Sequence, residues 1–155
     1  MYWILTEREL TNEEFEAAMK VLFPNLSFLY YDVNNQESND WEKIFIRDGK
    51  QITYSIVQWS EKIRTKLEVY DFPEADSVQR TQYIGQFLSK RFDTKVVTEL
   101  NLLDDTYINE YHALLIDGNS LKIIDDVELE SDNYQFKIKT DFKGQIQPFD
   151  ERGCL

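Results

Sequence analysis

Cysteine occurs once in these 155 residues, as Cys154, and histidine once, as His112. A single cysteine excludes an intramolecular disulfide and any zinc site built from several thiolates. Five glycines and three prolines leave little material for linkers. The Gly-rich phosphate loops are absent, as is the Ser-centred hydrolase elbow. No uninterrupted apolar run approaches the ~20 residues of a membrane span, and the start, Met1 to Arg8, carries no basic leader, so no signal peptide is expected. Positive charge is scarce: 17 Lys and Arg stand against 29 Asp and Glu, a net charge of −12. Such a balance repels nucleic-acid phosphates and anionic lipid. We therefore expect neither a nucleic-acid nor a membrane partner, and a reducing cytoplasm as the compartment.

What the chain does hold is a globular composition, 42% apolar and 14% aromatic. Its length fits one domain of roughly 100–200 residues, spanning 1–155. Tyr2 to Thr6 reads as a short strand. Thr11-x-x-Glu14 is a capping-box pattern, and Phe15, Ala18, Met19 and Leu22 follow on one helical face. Leu26 to Val33 reads as a strand. Trp41 to Arg47 reads as another, turning at Asp48-Gly49 into a return strand, Gln51 to Trp59. Thr65 to Asp71 is a further strand. A second helix runs from Asp76 or Ser77 to about Arg91, with Tyr83, Ile84, Phe87 and Leu88 as its buried stripe.

Lys95 to Thr98 is then a short strand. Tyr111 to Ile116, Leu121 to Val127 and Tyr134 to Lys139 read as a meander whose first turn is Asp117 to Ser120. Residues 143–155 lack a period and read as a loose tail. The fold expected is α+β: a mainly antiparallel sheet with two main helices packed on it.

Charge is unevenly spread. Glu99 to Asp132 holds ten acids and one base, Lys122. The acids alternate with apolar and tyrosine residues, which places them in a folded domain rather than an acidic tail. Charge of one sign over a low-dielectric wall steers a basic partner. The candidate partner-binding residues are therefore Asp104, Asp105, Asp125, Asp126, Glu128 and Glu130 for steering and ion pairing. Tyr107 and Tyr111 are the candidate anchors, since tyrosine beside charge is common at interface hot spots. Asp126, Glu128 and Glu130 would share one strand face opposite Val127 and Leu129, a pattern that a solvated sheet face fits equally well. Tyr30 and Tyr31 also lie near acids.

Chemistry is less well marked. His112 could act as a general base with Glu110 or Asp117, or pair with Cys154 as a nucleophile. Without a second group at a recognisable spacing, a structural histidine is the simpler reading. The carboxylates of 125–130 lack the Gly-containing spacing of a calcium loop, so no metal and no cofactor is expected.

The helix-to-strand run Asp76–Val97, the strand and turn Tyr111–Gly118, and the acidic strand Leu121–Val127 together resemble the small acidic immunity proteins of bacterial polymorphic and contact-dependent toxin systems. That resemblance covers about half the chain. It implies one cytoplasmic α+β domain without catalysis that binds and neutralises a toxin domain. Two other readings stay open: a phage or plasmid protein that mimics nucleic-acid charge, and a small enzyme using His112.

Overall fold

The computed structural model describes residues 2–44, 50–70, 77–100, 112–126, 129 and 135–152. The chain forms one α+β domain around an eight-stranded sheet. Its elements are β1 (Tyr2–Thr6), α1 (Asn12–Leu22), β2 (Ser27–Tyr30), a 3-10 turn (Gln36–Ser38), α2 (Trp41–Ile44), β3 (Gln51–Gln58), β4 (Thr65–Val69), α3 (Ser77–Phe92), β5 (Val96–Glu99), β6 (His112–Asp117), β7 (Ser120–Asp125) and β8 (Lys137–Asp141). Strand order is β2-β3-β4-β1-β5-β6-β7-β8. Only β2 and β3 run parallel; every other pairing is antiparallel.

The start of α1 follows its sequence signature. Thr11 Oγ1 accepts from the Glu14 N–H at 3.1 Å, and Glu14 Oε2 accepts from the Thr11 N–H at 3.0 Å. Both satisfy donors that a helix start leaves open. Phe15, Ala18 and Met19 face inward. They join Ile84 and Leu88 of α3 over Ile4, Ile52, Tyr54, Leu67, Val96, Leu114 and Ile116 of the sheet. Both main helices thus cover one face. The other face carries a second apolar cluster, Leu5, Val97, Ala113, Leu115 and Ile124, capped by Ile63 and Leu129, with Trp3, Trp59 and Phe136 packed around it. A strand buried on both faces needs apolar residues at every position, which explains the run Ala113-Leu-Leu-Ile116.

The helix α3 packs unusually close to the sheet. A Cβ built on Gly85 would meet Thr98 Cγ2 at 2.9 Å, and Val96 Cγ1 and Ile116 Cδ1 at 3.2 Å. Flanking that contact, Gln82 Nε2 donates to the Glu99 carbonyl (3.1 Å), and Ser89 Oγ accepts from the Gly118 N–H (2.8 Å). The buried stripe therefore differs from the one expected. Ile84 and Leu88 are buried as read, but Tyr83 and Phe87 are half-buried, while Arg80, Thr81, Gln82, Gly85 and Ser89 lie inside.

Three expectations need correction. Trp41–Ile44 is a helical turn, not a strand; the backbone N–H groups of Lys43 and Ile44 both donate to the Asp40 carbonyl. The neighbour of β3 on that side is instead β2, in parallel register. The proposed turn at Asp48-Gly49 lies outside the described residues. Next, β7 ends at Asp125. Leu129 sits in a turn, its N–H bonded to the Asp126 carbonyl, and it is buried, so Asp126 lies past the strand rather than on its face; Glu128 and Glu130 lie outside the described residues. Finally, the described part of the tail is docked rather than loose. Phe149 is only 7% exposed. Its ring lies 5.8 Å from that of Tyr83, under the Arg80 guanidinium, and the Asn25 N–H donates to the Glu151 carbonyl. The tail escaped notice because one buried aromatic produces no periodicity.

Two outcomes follow. Gly85→Ala should lower stability, although alanine gains about 1 kcal/mol in helix propensity, because overpacking of this kind costs about 1–3 kcal/mol; a melting temperature at or above wild type would show that Thr98 yields freely. Phe149→Ala should cost about 3 kcal/mol, as for other buried phenylalanines, measured by urea unfolding.

Candidate functional site

Register decides where the acids can go. Glu99 ends β5 and lies opposite Ala113, at the start of β6. His112 lies opposite Asp125, at the end of β7, and Asp125 in turn lies opposite Lys137, at the start of β8. The chain therefore leaves β5 after Leu100, re-enters β6 at His112, leaves β7 after Asp126 and re-enters β8 past Gln135, all at one end of the sheet. Nine of the ten acids of Glu99–Asp132 lie on or between those anchor points. Asp117 alone stands at the other end, beside the tight turn Gly118-Asn119, where Gly118 takes φ +60. Glycine meets that need without a Cβ clash.

Of the expected partner residues, Asp125 and Asp126 are described; Asp104, Asp105, Tyr107, Tyr111, Glu128 and Glu130 lie outside the described residues, as does Cys154. The two described acids differ. Asp125 is half-buried and meets Lys139 Nζ at 3.7 Å. Asp126 is also half-buried; burial first, then the Asp125 charge, raises its carboxyl above the ordinary carboxylate range, while the nearby His112 works in the other direction. At the same end, burial raises the Glu99 carboxyl. Burial is the main cause of both shifts, since it penalises the charged form; only at Asp126 does a neighbouring carboxylate add to it.

His112 is half-buried on the strand, level with Asp125. Asp117 is at the far end of the same strand, at ~3.3 Å per residue too distant to be a partner, and Glu110 lies outside the described residues. The structure thus brings His112 to the acidic end and separates it from one of the two carboxylates considered for general-base work. Among the described residues no group of three or more His, Cys, Asp or Glu could hold a metal ion, and no helix is long and apolar enough to cross a membrane.

A second polar group, unmarked in the sequence, lies on the face away from the helices. Tyr70 Oη donates to Glu68 Oε2 at 2.7 Å, Lys66 Nζ meets Glu68 Oε1 at 2.8 Å, and Ser55 Oγ is 3.2 Å from Tyr70 Oη. Lys66 also lies over the Trp59 ring at 4.4 Å. Burial raises the Glu68 carboxyl, but hydrogen bonds from Lys66 and Tyr70, with the Lys66 charge, outweigh it and leave the group below its ordinary value. Burial pushes the Tyr70 hydroxyl up to about 12. A hydroxyl that stays protonated and a carboxylate with both oxygens engaged are poorly suited to proton transfer near neutrality, so the group acts as a brace between β3 and β4. Only strand register unites Ser55 with Glu68, which is why it escaped the sequence reading.

Comparison of the chain with protein-family models, with characterised proteins and with solved structures gives no match.

The raised Glu99 carboxyl has a definite pH consequence. A group raised in the folded state penalises folding once ionised, so the penalty is present above its folded pKa and is relieved as pH falls through it. Glu99→Gln should therefore raise the melting temperature at about pH 7, and the gain should vanish near about pH 3.5. Gln82 bonds the Glu99 backbone, so that contact survives the change. Equal melting temperatures at neutral pH would mean that the ionised carboxylate is fully compensated.

Proposed function

We propose that this protein is a non-catalytic, cytoplasmic binding module that captures a basic protein partner at the acidic end of its sheet, in the manner of an immunity protein neutralising a toxin domain. The observation that supports this most is the convergence of the strand ends: Glu99, His112, Asp125 and Lys137, the described residues nearest the two acid-rich stretches of sequence in their strands, stand at one end of adjacent strands. A field of one sign concentrated at one end speeds encounter with a cationic surface and orients it. Binding strength then comes from groups dehydrated in the contact, for which Tyr107 and Tyr111 are the candidates. If the partner is a nuclease, the carboxylates occupy the surface that otherwise takes phosphate.

Asp125 already has Lys139 as a counter-ion, whereas Asp126 has the repulsion of Asp125. Asp126→Asn should therefore slow association more than Asp125→Asn. The combined Asp126→Asn/Glu128→Gln/Glu130→Gln protein should associate about tenfold more slowly at low salt, with a flatter salt dependence, since steering acts through screened long-range charge.

The test begins with the neighbouring genes: a secreted protein with a toxin domain among them is co-expressed with this chain, and the pair is measured by surface plasmon resonance at two ionic strengths. Relief of growth arrest and a salt-dependent on-rate are expected. Growth arrest that persists, with no complex between the purified proteins, would remove the immunity reading. A complex whose on-rate is indifferent to the triple substitution would move the contact away from the acidic end.

A further inference from the structure

On the sheet face away from the helices, a pocket of about 420 Å³ lies between β5 and β8. Its size falls within the ~300–1,000 Å³ usual for small-molecule sites. Leu115, Phe136 and Ile138 give it an apolar lining, and Lys95 and Lys122 contribute two ammonium groups. Two features are out of keeping with the rest of the chain. Ile138 is 53% exposed, one of three large apolar side chains so exposed among the described residues. Lys95 makes no ion pair among the described residues; its ammonium lies over the Phe136 ring, 5.6 Å from the centroid. A chain with 29 acids does not leave a lysine unpaired for want of carboxylates.

We propose that this pocket is a binding site for a carboxylate joined to an apolar body, the carboxylate held between Lys95 and Lys122 and the body laid on Phe136, Ile138 and Leu115. Charge-assisted contacts of this kind are the stronger hydrogen bonds, and the apolar lining supplies the burial that an exposed ion pair lacks. Lys122 now meets Asp141 at 3.2 Å, with that carboxylate 77% exposed. A surface pair of this sort contributes little, so a ligand carboxylate can replace it. Ser120 and Gln135 line the same pocket and add donors for a second oxygen. Asp117, also in the lining, disfavours dianions and so selects a single negative charge. The lining runs from Asp117 and Ser120 beside the Gly118 turn to Gln135, from which the chain enters β8, and the proposal does not rest on the function proposed above.

The free acid and the C-terminal residue of a peptide share this chemistry. The experiment is a titration of the isotope-labelled full chain, followed by amide shifts, with phenylacetate, with N-acetylphenylalanine, with N-acetylphenylalanine amide and with a tetrapeptide ending in phenylalanine. Saturable shifts centred on Ser120, Lys122, Phe136 and Ile138 are expected for the acids and not for the amide. Lys95→Met and Lys122→Met should each weaken binding about tenfold, the loss of one contact to a charged group; both lysines are half-buried, and the amide spectrum of each variant shows whether the fold is retained. Tighter binding of the tetrapeptide than of phenylacetate assigns the site to a peptide C-terminus, and equal or weaker binding assigns it to a free acid. Binding of the amide as strong as that of the acid, indifference to both lysine substitutions, or no saturable shift with any probe would overturn the proposal.

Discussion

The closeness of α3 to the sheet at Gly85 is the constraint on which the rest of the structure depends. With no side chain at that position, the helix backbone settles against Thr98, Val96 and Ile116. The approach places Gln82 against the end of β5 and Ser89 against the β6–β7 turn. Those two bonds tie the helix to both ends of the central strands. Glycine inside a helix costs about 1 kcal/mol relative to alanine; here the cost is offset by dispersion contact along the central strands. The Phe149 segment packs against the same helix through Tyr83 and Arg80. The distance set at Gly85 is therefore felt from the turn at Gly118 to Phe149.

The same geometry organises the charge. With β5, β6 and β7 held in fixed register, Glu99, His112 and Asp125 stand at one end of the sheet. The described acids Glu99, Asp125 and Asp126 are thereby gathered at that end, while Asp117 stands at the other. The fold also contains this excess. Strand β8 brings Lys137 and Lys139 alongside Asp125, and Lys122 meets Asp141. As an edge strand, β8 also benefits from those lysines and from the register shift at Ile123/Ile124, since charge and irregularity discourage edge-to-edge association. The described surface thus alternates between acid left in excess and acid that is neutralised, a difference that total charge does not reveal.

Local patterns in the sequence led to most of the architecture. The capping box at Thr11 and Glu14, the apolar stripe of α1, the continuous apolar run of β6 and the Asp117–Ser120 turn each rest on interactions among near neighbours, and each is present in the structure. The failures share a cause. Trp41–Ile44 alternates only in part, and four residues carry too little pattern to separate a helical turn from a strand. Phe149 is buried by partners remote in sequence, Tyr83 and Arg80. The extension of β7 beyond Asp125 followed alternation that the chain abandons to bury Leu129.

By itself, then, the sequence determined the α+β class, the helix starts and the excess of acid between Glu99 and Asp132. These follow from spacing and composition, which act over a few residues. Tertiary structure alone decided that Glu99, Asp125 and Asp126 come to one end of the sheet, that Asp125 meets Lys139, and that His112 and Asp117 stand apart. It also decided that Ser55, Tyr70, Glu68 and Lys66 form one brace, and that Lys95 and Lys122 line one pocket. Each of these depends on strand order and register, which bring distant residues together through pairings that no local pattern encodes.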